Sequence, residues 1–288
     1  MTETLASTWL ETLLQTVKAQ GTAQGLNLIA FSGGVDSTLV AALVKRVFPE
    51  RTRAILGVSQ SLPLDQLLLA RRLAQQLEVP LEELKTLEGE VPEYVANEGA
   101  SCYYCKSTLY ESMRQLSRAV AERLSASEQH TEGHVEVVLF NGTNADDLQD
   151  PTRVGLRAAR EFRVASPLST LSKAQVRDVS RLLGLENWGY AASPCLRSRL
   201  AYGVPATPEN LQRVEAAEKL VRTQLQLGPE INLRVRQLVT GAARLELDEA
   251  LFAEQGLELS GVREAVLALG FVRMEVQPFR SGALSLAV

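Results

Sequence analysis

One short stretch of the 288-residue chain strongly limits the folds that it can adopt. The apolar run LNLIAF at 26–31 is followed by SGGVDST at 32–38 and then by the helical pattern LVAALVKRV. A strand, a glycine-containing loop and a helix in this order present backbone N–H groups and a helix N-terminus to an anion. Gly33 and Gly34 permit backbone conformations and close approaches that a Cβ atom would prevent. The stretch therefore predicts a phosphate-binding loop.

The side chains of this loop narrow the phosphate chemistry. The loop contains no lysine, so it differs from the GxxxxGK[ST] loop of kinases and GTPases. Without that lysine, it is better suited to holding a pyrophosphate than to γ-phosphoryl transfer. The carboxylate of Asp36 can hold Mg²⁺ against a polyphosphate. Hydroxyl donors come from three residues: Ser32, Ser37 and Thr38.

The next segments alternate between strand and helix patterns. RAILGVS at 53–59 predicts a second strand, and LDQLLLARRLAQQLEV at 64–79 predicts a helix. LEELKTL predicts a third strand, and VEVVLFNGTNADD at 135–147 predicts a fourth strand that runs into a polar loop. This alternation is typical of an α/β fold with a doubly wound parallel sheet.

Ligands of such a sheet bind at the carboxyl ends of its strands. We therefore expect Ser32–Thr38, Ser59 and Gly142–Asp147 to converge there.

Composition and charge limit the other classes of function. The chain is 45% hydrophobic and 22% charged, and it contains no apolar run long enough to cross a bilayer. Its N-terminus has the pattern of an amphipathic helix rather than of a signal peptide, which predicts a cytoplasmic location. A net charge of −4 does not indicate bulk attraction to nucleic acid, and we expect neither a nucleic acid nor a membrane as partner.

Basic residues are nevertheless concentrated between Arg153 and Arg199. This range holds nine basic residues and three acidic ones. The surplus is typical of a solvated surface, or of one wall of a pocket for a phosphorylated substrate if the segment folds beside the phosphate loop.

SGGVDST resembles the signature of the ATP pyrophosphatases with an adenine-nucleotide α-hydrolase-like fold, the PP-loop superfamily. Such enzymes cleave ATP between the α and β phosphates and attach AMP to an acceptor oxygen. The resemblance implies that Ser59 and the backbone of Gly142, Thr143 and Asn144 face the adenosine part of ATP. Asp146 and Asp147 are candidates for Mg²⁺ or substrate, or cap the next helix.

Cys102 and Cys105 lie three residues apart at the predicted start of a helix, and Cys195 is the third and last cysteine. A reducing compartment disfavours a structural disulfide. Structural zinc would need a fourth ligand, such as His130 or His134. A redox dithiol or persulfide carrier and unrelated packed cysteines also remain open. The interpretation that we favour is a [4Fe–4S] cluster, which with three thiolates keeps one iron open for a sulfide or a substrate sulfur.

Four further motifs, GTNADDL, SPCLRSRLAYG, LRVR at 233–236 and ARLEL at 243–247, resemble the LarE family. Its members are ATP-dependent sulfur insertases that help to make the nickel-pincer nucleotide cofactor. They adenylate a carboxylate of pyridinium-3,5-biscarboxylic acid mononucleotide and then replace AMP with sulfur, which leaves a thiocarboxylate. One branch sacrifices the sulfur of a single cysteine, whereas another has three cysteines and is thought to bind a cluster.

This sequence resembles the three-cysteine branch, because the sacrificial position falls at about Pro194, beside Cys195. The resemblance implies ATP, Mg²⁺ and a [4Fe–4S] cluster as cofactors, and a sulfide or another sulfur donor as partner. After NADDLQD, the family continues with an aromatic residue and RPG, whereas this chain has PTRVG at 151–155. Arg153 is expected to supply the guanidinium. Lys106 is either an electrostatic helper in catalysis or a solvated helix lysine.

Residues 204–288 predict a small α/β domain for substrate binding or oligomerisation, after a PP-loop domain at 1–203. Arg234 and Arg236 lie on one face of a strand, because side chains alternate with period two. By the resemblance, they bind the substrate phosphate together with Ser198 and Arg199, and we expect a homo-oligomer. The alternative is cross-strand pairing with Glu246.

Two other functions compete with sulfur insertion. A tRNA thiolase shares the ATP chemistry, but usually carries extra zinc-binding cysteine pairs or an RNA-binding domain, which this acidic chain lacks. A nucleotide-binding sensor or scaffold with a structural metal would lack turnover altogether.

Overall fold

The computed structural model describes residues 2–127, 136–151, 153–253 and 259–280. Its helices are α1 (Thr2–Gln20), α2 (Val35–Val47), α3 (Leu64–Gln76), α4 (Pro92–Ala96), α5 (Ser101–Ser127), α6 (Ala145–Gln149), α7 (Gly155–Glu161), α8 (Lys173–Leu182), α9 (Pro208–Gln224), α10 (Glu249–Ala253) and α11 (Ser260–Ala268). Its strands are β1 (Leu26–Ala30), β2 (Thr52–Val58), β3 (Leu81–Lys85), β4 (Val137–Phe140), β5 (Leu233–Gln237), β6 (Ala243–Leu247) and β7 (Met274–Pro278).

The chain divides into two compact units. The first unit consists of Met1–Val58, Leu64–Leu87 and Cys102–Gly189. The second unit consists of Ser59–Pro63, Glu88–Ser101 and Tyr190–Val288. The domain boundary between residues 203 and 204 stays a prediction.

The first unit contains a four-stranded sheet in the order β3-β2-β1-β4, and all three neighbouring pairs are parallel. All five residues of the central strand β1 are buried. Leu28 of β1 belongs to an apolar cluster with Tyr110 and Met113 of α5 and Ala158 of α7. Helices α1, α2 and α8 pack against one another, and α2 also packs against β1 and β2. The predicted α/β fold with a parallel sheet is confirmed.

Strand order places the glycine loop at a topological switch point. From β1 the chain proceeds outward to β2 and β3, and it returns to the other side of β1 as β4. In open parallel sheets, ligands bind outside the carboxyl ends of the strands where the order reverses. The loops that follow β1 and β4 are therefore the expected ligand-binding loops of this unit.

The second unit contains a three-stranded sheet in the order β5-β6-β7, in which β5 and β6 are antiparallel and β6 and β7 are parallel. Helix α9 packs on β5, and α11 packs on α9. Helix α9 begins at a capped N-terminus, where the Thr207 hydroxyl accepts a hydrogen bond from Asn210 N. A second, smaller α/β module was thus correctly predicted.

No helix within the described ranges is long and apolar enough to span a membrane. His130 and His134, the candidate zinc ligands, lie outside the described residues.

Candidate active site

The glycine loop joins the buried end of β1 to the first turn of α2. Gly34 is the N-cap residue of α2 and has no side chain that could cap the helix, while its own N–H donates to Ser32 Oγ at 3.4 Å. Gly33 has a φ of +69°, and a Cβ atom at this position would lie 2.9 Å from the Ala70 Cα atom of α3. Both its conformation and its packing against α3 therefore require glycine. The N-terminus of α2 remains available to an anion.

The hydroxyl groups of the loop do not all face the same way. Ser32 is exposed, and its Oγ lies 3.2 Å from Ser37 Oγ. Ser37 is buried, and its hydroxyl donates to the Gly34 carbonyl at 3.1 Å. Thr38 is fully buried, and its Oγ1 accepts a hydrogen bond from Asn187 at 3.0 Å. Of the three hydroxyls predicted to contact phosphate, only that of Ser32 belongs to an exposed residue.

Asp36 joins the glycine loop to the loop after β4. Its Oδ1 atom accepts a hydrogen bond from Asn144 Nδ2 at 3.1 Å, and its Oδ2 atom forms an ion pair with Lys173. Gly142 lies so close that a Cβ atom there would be 2.8 Å from Asp36 Cβ and 2.9 Å from Ser37 N. The structure therefore brings residues 32–38 and 142–147 together, as expected from the topology of the sheet.

The two aspartates of the NADD motif, Asp146 and Asp147, accept hydrogen bonds from backbone N–H groups at the starts of helices. Asp147 closes a capping box with Asn144 at the start of α6, and its Oδ1 atom forms an ion pair with Arg153 at 2.8 Å. Asp146 Oδ2 accepts a hydrogen bond from the backbone N–H of Lys173 at 2.9 Å, at the first residue of α8. Capping, the structural alternative for this pair, is what the carboxylates do here.

The backbone N–H of Thr143 donates to Asn141 Oδ1 at 3.0 Å. Ser59 belongs to the second unit, where its hydroxyl accepts a hydrogen bond from Ser61 N at 3.2 Å.

Three residues at the glycine loop were not singled out by sequence reasoning. Lys173 was counted only as one of nine basic residues, and Gln66 and Asn187 carried no motif. The only local signal for Lys173 is the capping box between Ser172 and Gln175, which marks the start of α8. That signal places the lysine at a helix N-terminus but does not reveal its partner.

Cys102 and Cys105 lie one turn apart at the start of α5, as predicted, and both are half-buried. Gly155, the first residue of α7, packs directly on this turn. A Cβ atom at Gly155 would lie 3.3 Å from the Cys102 carbonyl oxygen and 3.2 Å from Lys106 Cγ. The Arg157 guanidinium also stacks on the Tyr103 ring, with 4.1 Å from its Cζ atom to the ring centroid. Lys106 is exposed. Helix α7 thus packs against the turn of α5 that carries Cys102 and Cys105.

Cys195 lies in the second unit, directly before a 3₁₀ turn at Leu196–Arg199. Its carbonyl oxygen accepts hydrogen bonds from Ser198 Oγ at 2.7 Å and from Arg199 Nη1 at 2.9 Å. The guanidinium of Arg199 is almost fully buried and makes a two-point ion pair with Glu218, at 2.9 and 3.1 Å. The backbone at Cys195 is therefore fixed by its own turn.

The two arginines of the LRVR strand have different partners. Arg236 Nε forms an ion pair with Glu246 Oε1 at 2.8 Å, and its Nη1 donates to the Ser198 carbonyl at 2.6 Å. Cross-strand pairing with Glu246, the structural alternative, is therefore observed for Arg236. Arg234 donates only to backbone carbonyls, those of Leu233 and Ala192, and forms no ion pair with any described carboxylate.

Among Arg199, Arg234 and Arg236, only Arg234 has no ion-pair partner among the described carboxylates. Burial, and then the nearby positive charge of Arg199, lowers the pKa of the Arg234 guanidinium to about 10, and Glu218 offsets only part of this shift. A buried cation without an anionic partner is the kind of group that binds an anionic ligand. The cluster formed by Arg199, Arg234 and Arg236 in the second unit is therefore a candidate site for a phosphate group.

None of the three cysteines forms a disulfide. Within the described ranges, no group of three or more histidine, cysteine, aspartate or glutamate side chains is arranged to hold a metal ion.

The fold and the glycine loop define a nucleotide-binding domain of the PP-loop class. A family model described as asparagine synthase matches residues 8–252. Pyridinium-3,5-bisthiocarboxylic acid mononucleotide synthase of Lactiplantibacillus plantarum is 30% identical over 264 residues, which cover 89% of this chain and 88% of that enzyme. The chain therefore belongs to the asparagine synthase family, and the match to that synthase shows that it belongs to the LarE family as well.

Two further relatives are similar over different extents. An uncharacterised protein of Synechocystis sp. is 37% identical over 268 residues, which cover 90% of this chain and 91% of that protein. The glutamine-hydrolysing GMP synthase of Corynebacterium efficiens is 27% identical over 241 residues, which cover 75% of this chain but 43% of that enzyme. The family assignment made from the motifs is thus confirmed, while the three-cysteine branch stays a prediction.

Proposed function

We propose that this protein is an ATP-dependent sulfur insertase in the synthesis of the nickel-pincer nucleotide cofactor. Its substrate would be pyridinium-3,5-biscarboxylic acid mononucleotide, one carboxylate of which is adenylated and then converted to a thiocarboxylate. The observation that carries the proposal is the 30% identity to a synthase named for the bisthiocarboxylic product, over nearly the full length of both chains. The half-buried glycine N-cap of α2 and Arg234, which has no ion-pair partner among the described residues, support it independently.

Activation of the carboxylate is the first chemical requirement. A carboxylate is a poor electrophile, because its charge repels nucleophiles and oxide is a poor leaving group. Attack of a carboxylate oxygen on the α-phosphorus of ATP forms an acyl–AMP anhydride and breaks the bond to the bridging oxygen, so that pyrophosphate leaves. The loop N–H groups at Gly33 and Gly34 and the N-terminus of α2 would bind that pyrophosphate.

Negative charge that accumulates during this step needs nearby cations. Asp36 fits a Mg²⁺ ligand by its chemistry, because it is a half-buried carboxylate at the first turn of α2. Mg²⁺ held there would neutralise the departing pyrophosphate. Lys173 pairs with the same carboxylate and would place a second positive charge beside the phosphates.

The phosphate of the mononucleotide would bind in the second unit. Arg199 and Arg236 already have carboxylate partners, whereas Arg234 has none among the described residues. We therefore assign the main phosphate contact to Arg234, with Ser198, Arg199 and Arg236 as its neighbours.

Sulfur delivery would depend on Cys102, Cys105 and Cys195. The three cysteines are the right kind of donor for a [4Fe–4S] cluster, because thiolates are its usual ligands and none of the three sulfurs is in a disulfide, but the described residues do not bring three such side chains into one metal-binding group. A cluster bound by three thiolates would supply sulfide at an iron that lacks a protein ligand. The role of the chain is to anchor the cysteines and to keep water from the acyl–AMP.

The experiment is a turnover assay on anaerobically purified protein that has been reconstituted with iron and sulfide. We expect pyrophosphate release that depends on the biscarboxylic mononucleotide, and mass spectrometry should detect replacement of a carboxylate oxygen by sulfur. Pyrophosphate release that ignores this substrate would contradict the proposal. Tight, salt-sensitive binding of tRNA would instead favour a tRNA thiolase.

A further inference from the structure

Two side-chain amides hold the two backbone carbonyls at the centre of the glycine loop. Gln66 Nε2 donates to the Ser32 carbonyl at 2.6 Å, and Asn187 Nδ2 donates to the Gly33 carbonyl at 2.9 Å. Gln66 lies in the first turn of α3 and Asn187 lies in the segment after α8. Both side chains belong to the first unit, and their residues are only 7% and 1% exposed.

The orientation of the Asn187 amide follows from its neighbours. A backbone carbonyl can only accept a hydrogen bond, so the NH₂ group must face Gly33. The same NH₂ group also donates to Thr38 Oγ1 at 3.0 Å, which ties the loop to the first turn of α2. Asn187 therefore connects two points of the phosphate-binding element from its buried side.

Holding these carbonyls also aims the N–H groups of the loop. In a planar trans peptide, the C=O and N–H groups point in opposite directions. The Ser32 carbonyl shares its peptide plane with the N–H of Gly33, and the Gly33 carbonyl shares its plane with the N–H of Gly34. Glycine peptides rotate readily, because no Cβ atom restricts them. Fixing the two carbonyls therefore fixes the direction of two N–H donors.

We propose that Gln66 and Asn187 are positioning residues that aim the N–H groups of Gly33 and Gly34 at the pyrophosphate part of ATP. The inference rests on the proposed function, because it takes the loop to bind a polyphosphate. Preorganised donors bind an anion without a cost of reorientation at the moment of binding.

A purely structural role fits Asn187 less well. Its Oδ1 atom is buried and has no hydrogen-bond partner among the described residues, which costs stability. An apolar side chain of the same shape would avoid that cost. The amide is instead placed where its NH₂ group contacts the loop, as a positioning role requires.

The test compares three ligands by calorimetry on the full-length protein: inorganic pyrophosphate, an α,β-methylene ATP analogue and AMP, each with Mg²⁺. The variants are Asn187→Leu, which keeps the shape of the side chain without its donor, and Gln66→Met. Gln76→Met is the matched control, because Gln76 lies at the other end of α3 and donates to Glu186 at 2.9 Å.

We expect the dissociation constants of pyrophosphate and of the ATP analogue to rise about tenfold in each variant, which corresponds to about 1.4 kcal/mol. The dissociation constant of AMP should change by less than about twofold, because AMP lacks the phosphates that the loop would hold. Gln76→Met should bind all three ligands like the wild type. Thermal melting of each variant verifies that it is folded, and Gln66→Met keeps the test decisive if Asn187→Leu fails to fold.

Unchanged pyrophosphate binding in a folded variant would overturn the inference, as would an equal loss of AMP and pyrophosphate binding. A wild-type protein that binds neither pyrophosphate nor the ATP analogue would overturn the proposed function itself, and the inference with it.

Discussion

Lys173 forms an ion pair with Asp36, the only carboxylate of the glycine loop. Their side chains are 31% and 24% exposed, so the pair is partly shielded from water but open to a ligand. It lies where the loop after β1 meets the loop after β4, because Asn144 contacts the same carboxylate. This places a cation and a potential Mg²⁺ ligand together at the switch point of the sheet.

Replacing Lys173 with methionine should slow adenylation much more than it weakens ATP binding. We expect substrate-dependent pyrophosphate release to fall about 100-fold, because a charge that stabilises the developing phosphate charge is lost. Stopped-flow or coupled detection of pyrophosphate measures this rate. Lys45→Met is the control, since Lys45 lies at the far end of α2 and donates to the Pro49 carbonyl. An unchanged rate would show that Lys173 is only a partner of Asp36.

Loss of Arg199 should destabilise the second unit. Arg199→Met leaves Glu218 without its two-point partner in a site where the side chains are 2% and 16% exposed. The free energy of unfolding should fall by about 3 kcal/mol, as is typical when one partner of a buried ion pair is removed. Urea denaturation provides the measurement. Arg244→Met, which breaks the more exposed pair with Glu275, should cost at most about 1 kcal/mol.

Loss of Arg234 should affect the stability of the second unit differently from loss of Arg199. Its lowered pKa means that folding disfavours the charged form, and this penalty is fully present below pH of about 10 and is relieved only above it. Arg234→Met should therefore cost less stability than Arg199→Met. Because the cation that we assign to the phosphate is gone, the mononucleotide should raise the melting temperature of the wild type but not of this variant. Equal thermal stabilisation of both proteins would exclude Arg234 as the phosphate ligand.

Each cysteine should be needed for the cluster. Cys102→Ser, Cys105→Ser and Cys195→Ser should each lose most of the iron and sulfide that the wild type retains after anaerobic reconstitution. Iron and sulfide counts, together with the absorption spectrum, provide the measurement. Ser112→Ala, on the same helix α5, is the control and should retain the wild-type amounts. Near-stoichiometric zinc in the wild type, or iron retained in all three variants, would contradict a three-cysteine cluster.

Residues whose role depends on local pattern were predictable from the sequence. The glycine loop and the four parallel strands follow from apolar spacing and glycine content, which act within a few residues. The contact between Asp36 and Asn144 was also predictable from the sequence, because the carboxyl ends of parallel strands lie at one edge of the sheet.

Residues that act across the fold were not predictable. Gln66 contacts a carbonyl 34 residues away, and Asn187 contacts one that is 154 residues away. Neither belongs to a motif, because a single amide at the right place suffices. The strand period placed Arg234 and Arg236 on one face, but it could not decide which of them binds Glu246. That choice depends on side-chain packing, which the sequence pattern does not contain.

Gly142 limits how this protein could be redesigned. A Cβ atom there would lie 2.8 Å from Asp36 Cβ and 2.9 Å from both Asp36 C and Ser37 N, so a substituent would meet main chain and a rigid Cβ atom rather than the yielding end of a side chain. Attempts to alter nucleotide preference should therefore leave residue 142 unchanged and vary the partly exposed Thr143 instead. For the same reason, insertions that lengthen either loop would have to preserve this contact, which makes the two loops a single unit for engineering.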